Sequence, residues 1–387
     1  MPGGKQVKRL ARFFKVGLYL AIAEAIRLFV PKGNNSACLV LKIDALGDLF
    51  VWFSSGISGV SAYCREMPGH SVILVRQELA EFVHGLGLFD DVWPLDEPAF
   101  RTNILYRTKM LYRLRRHGYS KVLQLRIARE FLSEDAIVRA VGADEAWSPV
   151  GDMHNRSAWE ARLGDRWYTP IARVQTNGVH ELDRNFAVTT ALTGKRPAPF
   201  VYSTESWQPP AGRAERYYIV APGAGWAPRK WPTANFVEIA RRARAASAPQ
   251  CVIVGTRQDA AAGEEIAKAA GGLNLCGRLG LADLAAVIRK SAFAVSNEAG
   301  ISHMAAYFRV PSVAVLGGGH FGWFMPYPEN WPGLEAPRAV VHRMECFGCN
   351  WQCRYRVARG QPVPCIERIG IDTVWSKVEA ILRLATN

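Results

Sequence analysis

The sequence predicts an α/β protein in which short buried strands alternate with helices in two successive series. Apolar, β-branched runs recur along the chain, and each is followed by a polar or Gly-containing turn and then by residues with helical spacing. This alternation is typical of parallel sheets covered by helices on both faces. Two Pro-rich segments, at 195–199 and 208–212, separate the two series. Because 387 residues exceed one typical hydrophobic core, we expect two domains.

The composition describes a well-packed globular protein with an anionic partner. Hydrophobic residues make up 49% of the chain, and the formal net charge is +14. Nucleic acid, an anionic membrane surface and phosphorylated ligands are the partners that such a charge suggests. No RRM, KH or helix-turn-helix signature is present, and basic and aromatic residues are not interleaved on a strand. We therefore expect no nucleic-acid partner.

Residues 1–32 predict a basic amphipathic helix. Seven basic residues oppose the single acid Glu24, and the longest uncharged run, 16–23, is too short to span a membrane. One face carries Leu10, Phe13, Phe14 and Leu18, and the opposite face carries Lys8, Arg12 and Lys15. The helix either lies on an anionic inner leaflet or folds onto its own domain. No signal-peptide cleavage pattern follows it, so we expect a cytoplasmic protein, peripheral to the inner membrane, with reduced cysteines.

The first strand is expected at 37–43, and a turn from Asp44 to Asp48 follows it. Gly47 lies in this turn, and an apolar helix runs from Leu49 towards Cys64. Asp48 is therefore placed where a strand turns into a helix. It is either the acid that caps this helix or a base that removes a proton from an acceptor hydroxyl.

The rest of the first half continues the same alternation. Charge concentrates in the helix at 105–117, which could face an acidic acceptor or simply be a solvated surface. A stretch rich in Arg and Trp at 153–176 is expected to be a long loop over a cleft. The expected strands are 71–75, 91–95 and 121–125, and the expected helices are 78–85, 105–117 and 180–192.

The second half begins with a strand at 217–221 and enters the Gly- and Pro-rich loop 222–232. Gly223 permits close backbone approach, and Arg229 and Lys230 precede a helix that starts near Thr233. Glycines and a lysine before a helix N-terminus suit a pyrophosphate, although neither the Walker A nor the G-x-G-x-x-G spacing is present. The later expected elements are a strand at 250–255, helices at 259–270 and 282–290, and a last strand near 339–342.

The turn 296–303 follows another buried strand and precedes a helix that Val310-Pro311 ends. Gly300 allows close approach, and Glu298 and His303 flank the helix N-terminus, where unpaired N–H groups can bind phosphate. The alternative is a buried turn with a capping acid and a helical histidine. A further strand at 312–316 ends in three glycines, 317–319.

Half of the eight cysteines fall within one short segment of the chain. Cys346, Cys349, Cys353 and Cys365 have spacings that indicate a metal site before a disulfide in a reducing compartment. Four thiolates suit tetrahedral zinc or a single iron, and four free thiols are the alternative. Because the segment is far in sequence from Asp48 and Lys230, its role is expected to be structural.

Three stretches together resemble the family of ADP-heptose:lipopolysaccharide heptosyltransferases, glycosyltransferase family 9. They are 41–48 with its Gly-Asp turn, 221–232 with its Lys-x-Trp-Pro character, and the 296–303 turn of the form [ST]-[DN]-[DS]-[TS]-G-x-x-H. The cysteine spacing is also similar to that of the autotransporter heptosyltransferases, which hold iron and form large oligomers. The resemblance implies a GT-B fold, in which two Rossmann-like domains face each other across a cleft, and inverting transfer without a catalytic metal.

Carried over residue by residue, the resemblance implies a role for each motif position. Asp48, on the loop with Gly47, resembles the catalytic base, and Lys230 resembles the residue that neutralises the donor phosphates. Glu298 matches a carboxylate near the heptose, and Ala299 departs from the usual Thr. The donor-binding set that this implies is Gly223, Lys230, Glu298, Ala299, Gly300, Ile301 and His303.

The sequence thus predicts an N-terminal helix at 1–32, an acceptor-side domain at 33–200 and a donor-binding domain at 201–387 that contains the cysteine segment 346–365. The expected reaction moves a heptose from ADP-heptose to a lipopolysaccharide core or related glycan. The first alternative acceptor is a Ser of an autotransporter protein. A basic nucleic-acid- or membrane-binding scaffold is the alternative from a different class. No cofactor is expected for the chemistry, a structural zinc or iron is expected at the four cysteines, and oligomers are compatible with the resemblance.

Overall fold

The computed structural model describes residues 3–174, 180–202 and 216–386, and it contains two six-stranded parallel sheets. The first has the order β3-β2-β1-β4-β5-β6, and the second has β9-β8-β7-β10-β11-β12. Each is the strand order of a Rossmann fold, so the topological switch points lie between β1 and β4 and between β7 and β10. The strands are β1 Ala37–Lys42, β2 Ser71–Arg76, β3 Asp91–Leu95, β4 Tyr119–Gln124, β5 Glu145–Pro149, β6 Ile171–Ala172, β7 Tyr217–Ala221, β8 Gln250–Ile253, β9 Leu273–Asn274, β10 Ala294–Asn297, β11 Ser312–Val315 and β12 Arg338–Val340.

Helices form most of the crossovers between successive strands, as is usual in a parallel sheet, and the connection from β11 to β12 is irregular. Their buried faces and the strands form one hydrophobic core around each sheet. The helices are α1 Gly3–Phe29, α2 Leu46–Phe53, α3 Ile57–Glu66, α4 Gln77–Gly85, α5 Glu97–Thr102, α6 Ile104–His117, α7 Ala136–Val141, α8 Ala158–Gly164, α9 Glu181–Thr193, α10 Thr233–Ala245, α11 Ala260–Ala270, α12 Leu281–Arg289, α13 Gly300–Tyr307, α14 Pro364–Glu367 and α15 Ile371–Thr386.

Two of the sequence predictions are wrong in their details. The single helix expected from 49 towards 64 is two helices, α2 and α3, because the hydroxyls of Ser54 and Ser55 donate back to the carbonyls of Phe50 and Val51 and Gly56 follows. The expected loop 153–176 contains α8 and β6. In α8 the Ser157 backbone N–H and hydroxyl both bond to Glu160, which is a capping box that the loop prediction overlooked.

The chain divides into two compact units, which differ from the predicted domains in the assignment of short segments. The first unit comprises Met1–Asp44, Gly56–Asn177 and Arg184–Ala198, so the N-terminal helix is part of it. The second comprises Ala45–Ser55, Gly178–Asp183 and Pro199–Asn387. The Asp48 turn and α2 therefore group with the second sheet, although they follow the first strand of the first sheet.

Helix α1 has two apolar faces. One face packs into the core of the first unit, where the Tyr19 hydroxyl donates to the Arg101 carbonyl at 3.0 Å. The outer face contains no charged side chain, and its Phe14 is 68% exposed. The buried face consists of Val16, Tyr19, Ala23 and Ile26, and the outer face consists of Phe14, Leu18, Ala21, Ala25 and Leu28.

One of the two expectations for α1 is confirmed by its inner face, and the other remains a prediction. The helix does fold onto its own domain, and the predicted apolar residues Phe14 and Leu18 remain exposed. The side chains of Lys8, Leu10, Arg12 and Phe13 lie outside the described residues. Among the helices that the structure describes, none has the length and apolarity needed to cross a bilayer.

The buried face of α1 predicts a contribution of this helix to stability. Ile26→Ala should lower the free energy of unfolding of the protein by about 2–4 kcal/mol, because a largely buried side chain leaves a cavity in the first core. Leu28→Ala, two residues away on the exposed face, is the matched control and should change it by less than about 0.5 kcal/mol. Urea unfolding of both variants measures the difference, and equal midpoints would contradict the packing of α1.

Candidate active site

The loop after β7 is fixed to the end of β10 by one buried side chain. Asn297 accepts a hydrogen bond from the Trp231 N–H at 3.0 Å and donates to the Pro222 carbonyl at 2.7 Å. Trp231 is itself buried, and its indole N–H donates to the Ile369 carbonyl. The loop that carries both sequence-predicted cations is therefore held at the switch point of the second sheet, where α/β proteins bind ligands.

Lys230 lies in this loop and points to a carboxylate. Its ammonium is 2.6 Å from Asp259, which also accepts hydrogen bonds from Thr256. Burial raises the pKa of Asp259, but the bonds from Lys230 and Thr256 outweigh it and hold the pKa below its ordinary value. Gly223 is necessary here because a Cβ on it would come within 2.6 Å of this carboxylate.

Arg229 is a second cation of the site, and the sequence-based assignment of a phosphate-binding role omitted it. Its guanidinium donates to the Glu298 carbonyl at 2.9 Å and forms an ion pair with the Glu298 side chain. Burial raises the pKa of Glu298, and Arg229 opposes that effect. A signal was present in the sequence, because the Lys-x-Trp-Pro pattern places its cation two residues before Trp231, at Arg229.

The turn between β10 and α13 exposes backbone N–H groups at a helix N-terminus. The Ser302 hydroxyl caps the turn by donating to the Ala299 carbonyl and accepting from its N–H. The first hydrogen bonds of α13 are made by the N–H groups of Ser302 and His303. Within the described residues, no hydrogen bond is donated by the preceding amides of Gly300 and Ile301, which lie where a helix N-terminus can bind an anion.

The Asp48 turn packs directly against this helix N-terminus. A Cβ on Gly47 would lie 2.8 Å from the His303 ring, and a Cβ on Gly300 would lie 2.9 Å from Leu46. Both glycines thus permit the N-termini of α2 and α13 to touch. Asp48 is half-buried, and its carboxylate accepts the Ala45 N–H at 3.1 Å. The helix-capping interaction that the sequence left open as an alternative is therefore present.

His303 is a buried neutral ring. Its Nδ1 is 2.7 Å from the Tyr327 hydroxyl, and the rings of His303 and Tyr327 stack. Burial, together with the nearby His180 and Arg229, lowers the pKa of His303 to about 3. His180, which sequence analysis did not single out, accepts the Leu182 N–H at Nδ1, so its Nε2 carries the proton and donates to Phe324. Burial lowers its pKa to about 4.

The first sheet has its own charged cluster at the carboxyl ends of β1 and β4. Asp44 forms ion pairs with Lys42 at 2.6 Å and with Arg126 at 2.9 Å. Arg126 also pairs with Glu134. Burial would raise the pKa of Asp44, but Lys42 and Arg126 lower it to about 2. The cluster therefore presents a fixed, partly exposed guanidinium at the switch point of the first sheet.

The four cysteines of the segment 346–365 line one small cavity of about 10 Å³. The Gly318 N–H donates to the Cys365 sulfur at 3.4 Å, and burial raises the pKa of that thiol. Across the part of the chain that the structure describes, no three His, Cys, Asp or Glu side chains stand close enough together to hold a metal ion. The segment lies against the three glycines after β11, so it is near the donor loop in space although it is far from it in sequence.

The comparisons with known proteins agree with this architecture. Residues 158–342 match the model of glycosyltransferase family 9 (heptosyltransferase). Among curated proteins, no sequence matches the chain. The matched residues include the Pro222 loop, the 296–303 turn and the three glycines, and the enzyme is accordingly a glycosyltransferase.

Solved structures show that the fold is GT-B. The E. coli ADP-heptose lipopolysaccharide heptosyltransferase II is 18% identical, with a TM-score of 0.61 over 91% of this chain and 100% of that one. E. coli heptosyltransferase WaaC with ADP-2-deoxy-2-fluoro heptose is 15% identical, with a TM-score of 0.60 over 89% and 99%. The dodecameric iron-containing heptosyltransferase TibC in complex with ADP-D-β-D-heptose is 13% identical, with a TM-score of 0.54 over 92% and 78%. TibC comes from enterotoxigenic E. coli.

The two buried histidines predict that the glycosyltransferase loses stability as the pH falls. In the unfolded chain each ring takes up a proton near its ordinary pKa of 6.5, whereas the folded pKa values are about 3 and about 4. The unfolded state therefore binds more protons, and each ring lowers the free energy of unfolding by about 1.4 kcal/mol per pH unit below 6.5. His303→Gln should remove the contribution of one ring to this pH dependence of the free energy of unfolding. Urea unfolding between about pH 7 and about pH 4.5 measures the difference.

His84→Gln is the matched control, because His84 is exposed on α4 and its ring is in water in both states. It should leave the pH dependence unchanged. Equal slopes for His303→Gln and the unmodified protein would contradict the burial of a neutral His303.

Proposed function

We propose that the protein is an inverting heptosyltransferase that moves a heptose from ADP-heptose to a lipopolysaccharide core or a related glycan. One observation carries this proposal. The N-terminus of α13, with free amides at Gly300 and Ile301, touches the turn that bears the half-buried carboxylate of Asp48. This proximity supports a diphosphate site beside a base, which is the arrangement that displacement at an anomeric carbon requires.

The donor end of this site suits a nucleoside diphosphate leaving group. The amides of α13 supply the N-terminal end of a helix dipole, and Arg229 and Lys230 supply two positive charges. Glu298 and Asp259 hold these cations in place, so little reorganisation is needed as charge develops on the departing diphosphate. The structures of WaaC with ADP-2-deoxy-2-fluoro heptose and of TibC in complex with ADP-D-β-D-heptose support the choice of donor.

The acceptor end depends on Asp48. Its half-buried carboxylate follows the first strand of the first sheet in the motif that resembles the family's base, and we assign to it the removal of the acceptor hydroxyl proton during attack. No metal is required for these steps in the mechanism that we propose, because the helix N-terminus and the two cations stabilise the leaving group. His303 is neutral and buried against Gly47, so it shapes the junction of α2 and α13 without contributing charge.

If Asp48 is the base, its substitution should change the rate of heptose transfer and leave the binding of ADP unchanged. Asp48→Asn should lower heptose transfer about 100-fold or more, because the amide cannot take a proton. It should leave ADP affinity and stability unchanged, since Asn keeps an oxygen for the Ala45 N–H. Transfer by Asp48→Asn within a few-fold of the unmodified protein would return Asp48 to the role of a helix cap alone.

Mass spectrometry distinguishes the acceptors. Purified protein and ADP-heptose should add a mass of one heptose to a truncated lipopolysaccharide core. Transfer to Ser of an autotransporter passenger domain, with no reaction on the glycan, would instead select the alternative of a protein O-heptosyltransferase. No transfer and no ADP binding would leave the scaffold alternative.

We also propose that the outer face of α1 places the enzyme on the anionic cytoplasmic leaflet of the inner membrane. Phe14, Leu18 and Leu28 are exposed along one side of the helix, and Lys15 is exposed beside them. The basic residues of 1–32 and the net charge of +14 add an attraction of about 1 kcal/mol for each Lys or Arg near the surface. The helix would lie on the surface with its inner face still bound to the first core.

Membrane binding should therefore depend on the exposed leucine and phenylalanine. The double substitution Phe14→Ser and Leu18→Ser should weaken co-sedimentation with phosphatidylglycerol vesicles about tenfold or more, since about 1.5–3 kcal/mol is lost for each apolar side chain that no longer inserts. Transfer to a water-soluble acceptor should not change. Leu384→Ser, at an exposed leucine of α15, is the control. Equal vesicle binding by all three proteins would refute a membrane role for this face.

We further propose a structural zinc or iron at Cys346, Cys349, Cys353 and Cys365. The four thiols line one cavity, and a backbone N–H already donates to the Cys365 sulfur, as is common around metal thiolates. A small inward shift of the side chains would be needed, because no close metal-binding set is present among the described residues. The iron-containing, dodecameric TibC supports both a metal and an oligomer here.

Elemental analysis tests the metal directly. Protein purified without chelator should contain about one zinc or iron per chain, and the metal should be released in acid because protons compete for the thiolates. Cys349→Ser should lower the metal content and the stability together. Cys64→Ala, which removes a buried cysteine outside the segment, should keep the metal. A metal-free, fully stable preparation with four freely titrating thiols in the segment would end this proposal.

A further inference from the structure

The segment that carries the four cysteines is seated on the three glycines after β11. A Cβ on Gly318 would collide with the Phe347 ring, and a Cβ on Gly319 would collide with the Trp351 ring. The Gly318 carbonyl accepts the Gly348 N–H at 2.7 Å, and the Gly319 carbonyl accepts the Asn350 N–H at 3.0 Å. These two hydrogen bonds and two ring contacts therefore fix the position of the cysteine segment against the end of β11.

Trp351 is held in an unusual backbone conformation within this segment. Its φ is +58°, and that of Asn350 is +48°, a region that residues other than glycine rarely occupy. The Asn350 side chain is 2.7 Å from a ring nitrogen of His320, and the rings of His320 and Trp351 meet edge to face. Such conformations persist only where the surroundings impose them. The backbone conformation and these contacts together fix the orientation of the Trp351 indole.

The indole of Trp351 contacts the guanidinium of Arg229. The centre of the Arg229 guanidinium lies 4.8 Å from the centroid of the Trp351 ring, within the range of a cation–π interaction. On its other side Arg229 bonds to Glu298 of the donor turn. The Pro228 carbonyl, one residue earlier, accepts the Val363 N–H from the far end of the cysteine segment at 2.9 Å. Two independent contacts thus attach the donor loop to this segment.

We propose that Trp351 is a positioning residue for donor binding, which acts by holding the Arg229 guanidinium against the donor turn. The inference rests on the proposed function, because it assigns to Arg229 a share of the diphosphate charge. It gives the cysteine segment a role in donor affinity that goes beyond the structural role its sequence position suggests. The indole itself need not touch the donor.

The test is a graded series of ADP affinities measured by calorimetry. Trp351→Leu should weaken ADP binding about 3- to 30-fold, the equivalent of one cation–π contact. Trp351→Phe should fall between Trp and Leu, because a phenyl ring is a weaker partner for a cation than an indole. Tyr355→Leu, at a half-exposed aromatic of the same segment whose ring contacts Arg354, is the control and should bind ADP normally.

A double-substitution cycle separates positioning from general damage to the fold. In the background of Arg229→Met, which removes the cation, Trp351→Leu should have little further effect on ADP affinity. Full additivity of the two substitutions would overturn the inference, as would unchanged ADP affinity in folded Trp351→Leu. If Trp351→Leu does not fold, unchanged affinity in Trp351→Phe overturns it. Absence of ADP binding by the unmodified protein would instead overturn the proposed function, and this inference with it.

Discussion

The candidate site depends above all on one buried amide. Asn297 bonds with both of its polar atoms to the loop 222–231, and leaving either group unpaired in the interior would cost about 1–3 kcal/mol. The loop with the two cations therefore cannot move independently of the turn that offers its amides. The glycines apply a similar constraint on the opposite side, because Gly47 and Gly300 let two helix N-termini approach to van der Waals contact. The hydrogen bonds of Asn297 and the missing side chains of these two glycines together define the geometry of the candidate site.

Each cation of the site has its own carboxylate partner. Lys230 is paired with Asp259 and Arg229 with Glu298, so neither long side chain is left to sample many rotamers. The pairs also differ in environment, since the pKa of Asp259 is held below its ordinary value while burial raises that of Glu298. A diphosphate approaching these cations meets charges whose positions are already set, which is the arrangement that electrostatic stabilisation of a leaving group requires.

Local patterns made much of this structure predictable. Buried strands with glycine turns placed the 296–303 turn and the loop 222–232 at the edge of one sheet, and the glycosyltransferase family 9 match includes both. The partners of the predicted residues were not predictable, because Asn297, Asp259, Tyr327 and His180 are distant in sequence from the groups they contact. The grouping of Asp48 with the second unit was missed for the same reason, since it follows a strand of the first sheet. Two other features could have been predicted from the sequence. They are the break between α2 and α3 at Ser54 and the start of α8 at Ser157.

The two faces of α1 have a geometric consequence. Its inner face is part of the first core, so the helix has no hinge between itself and the sheet that it covers. A surface bound by Phe14 and Leu18 would thus hold the first sheet in one fixed orientation, without a flexible tether. If the proposed docking takes place, the enzyme would search for its acceptor by lateral diffusion in a plane and would meet a glycolipid acceptor always from the same side. Tilting the helix by a substitution in the first core would redirect that approach without altering any residue of the donor site.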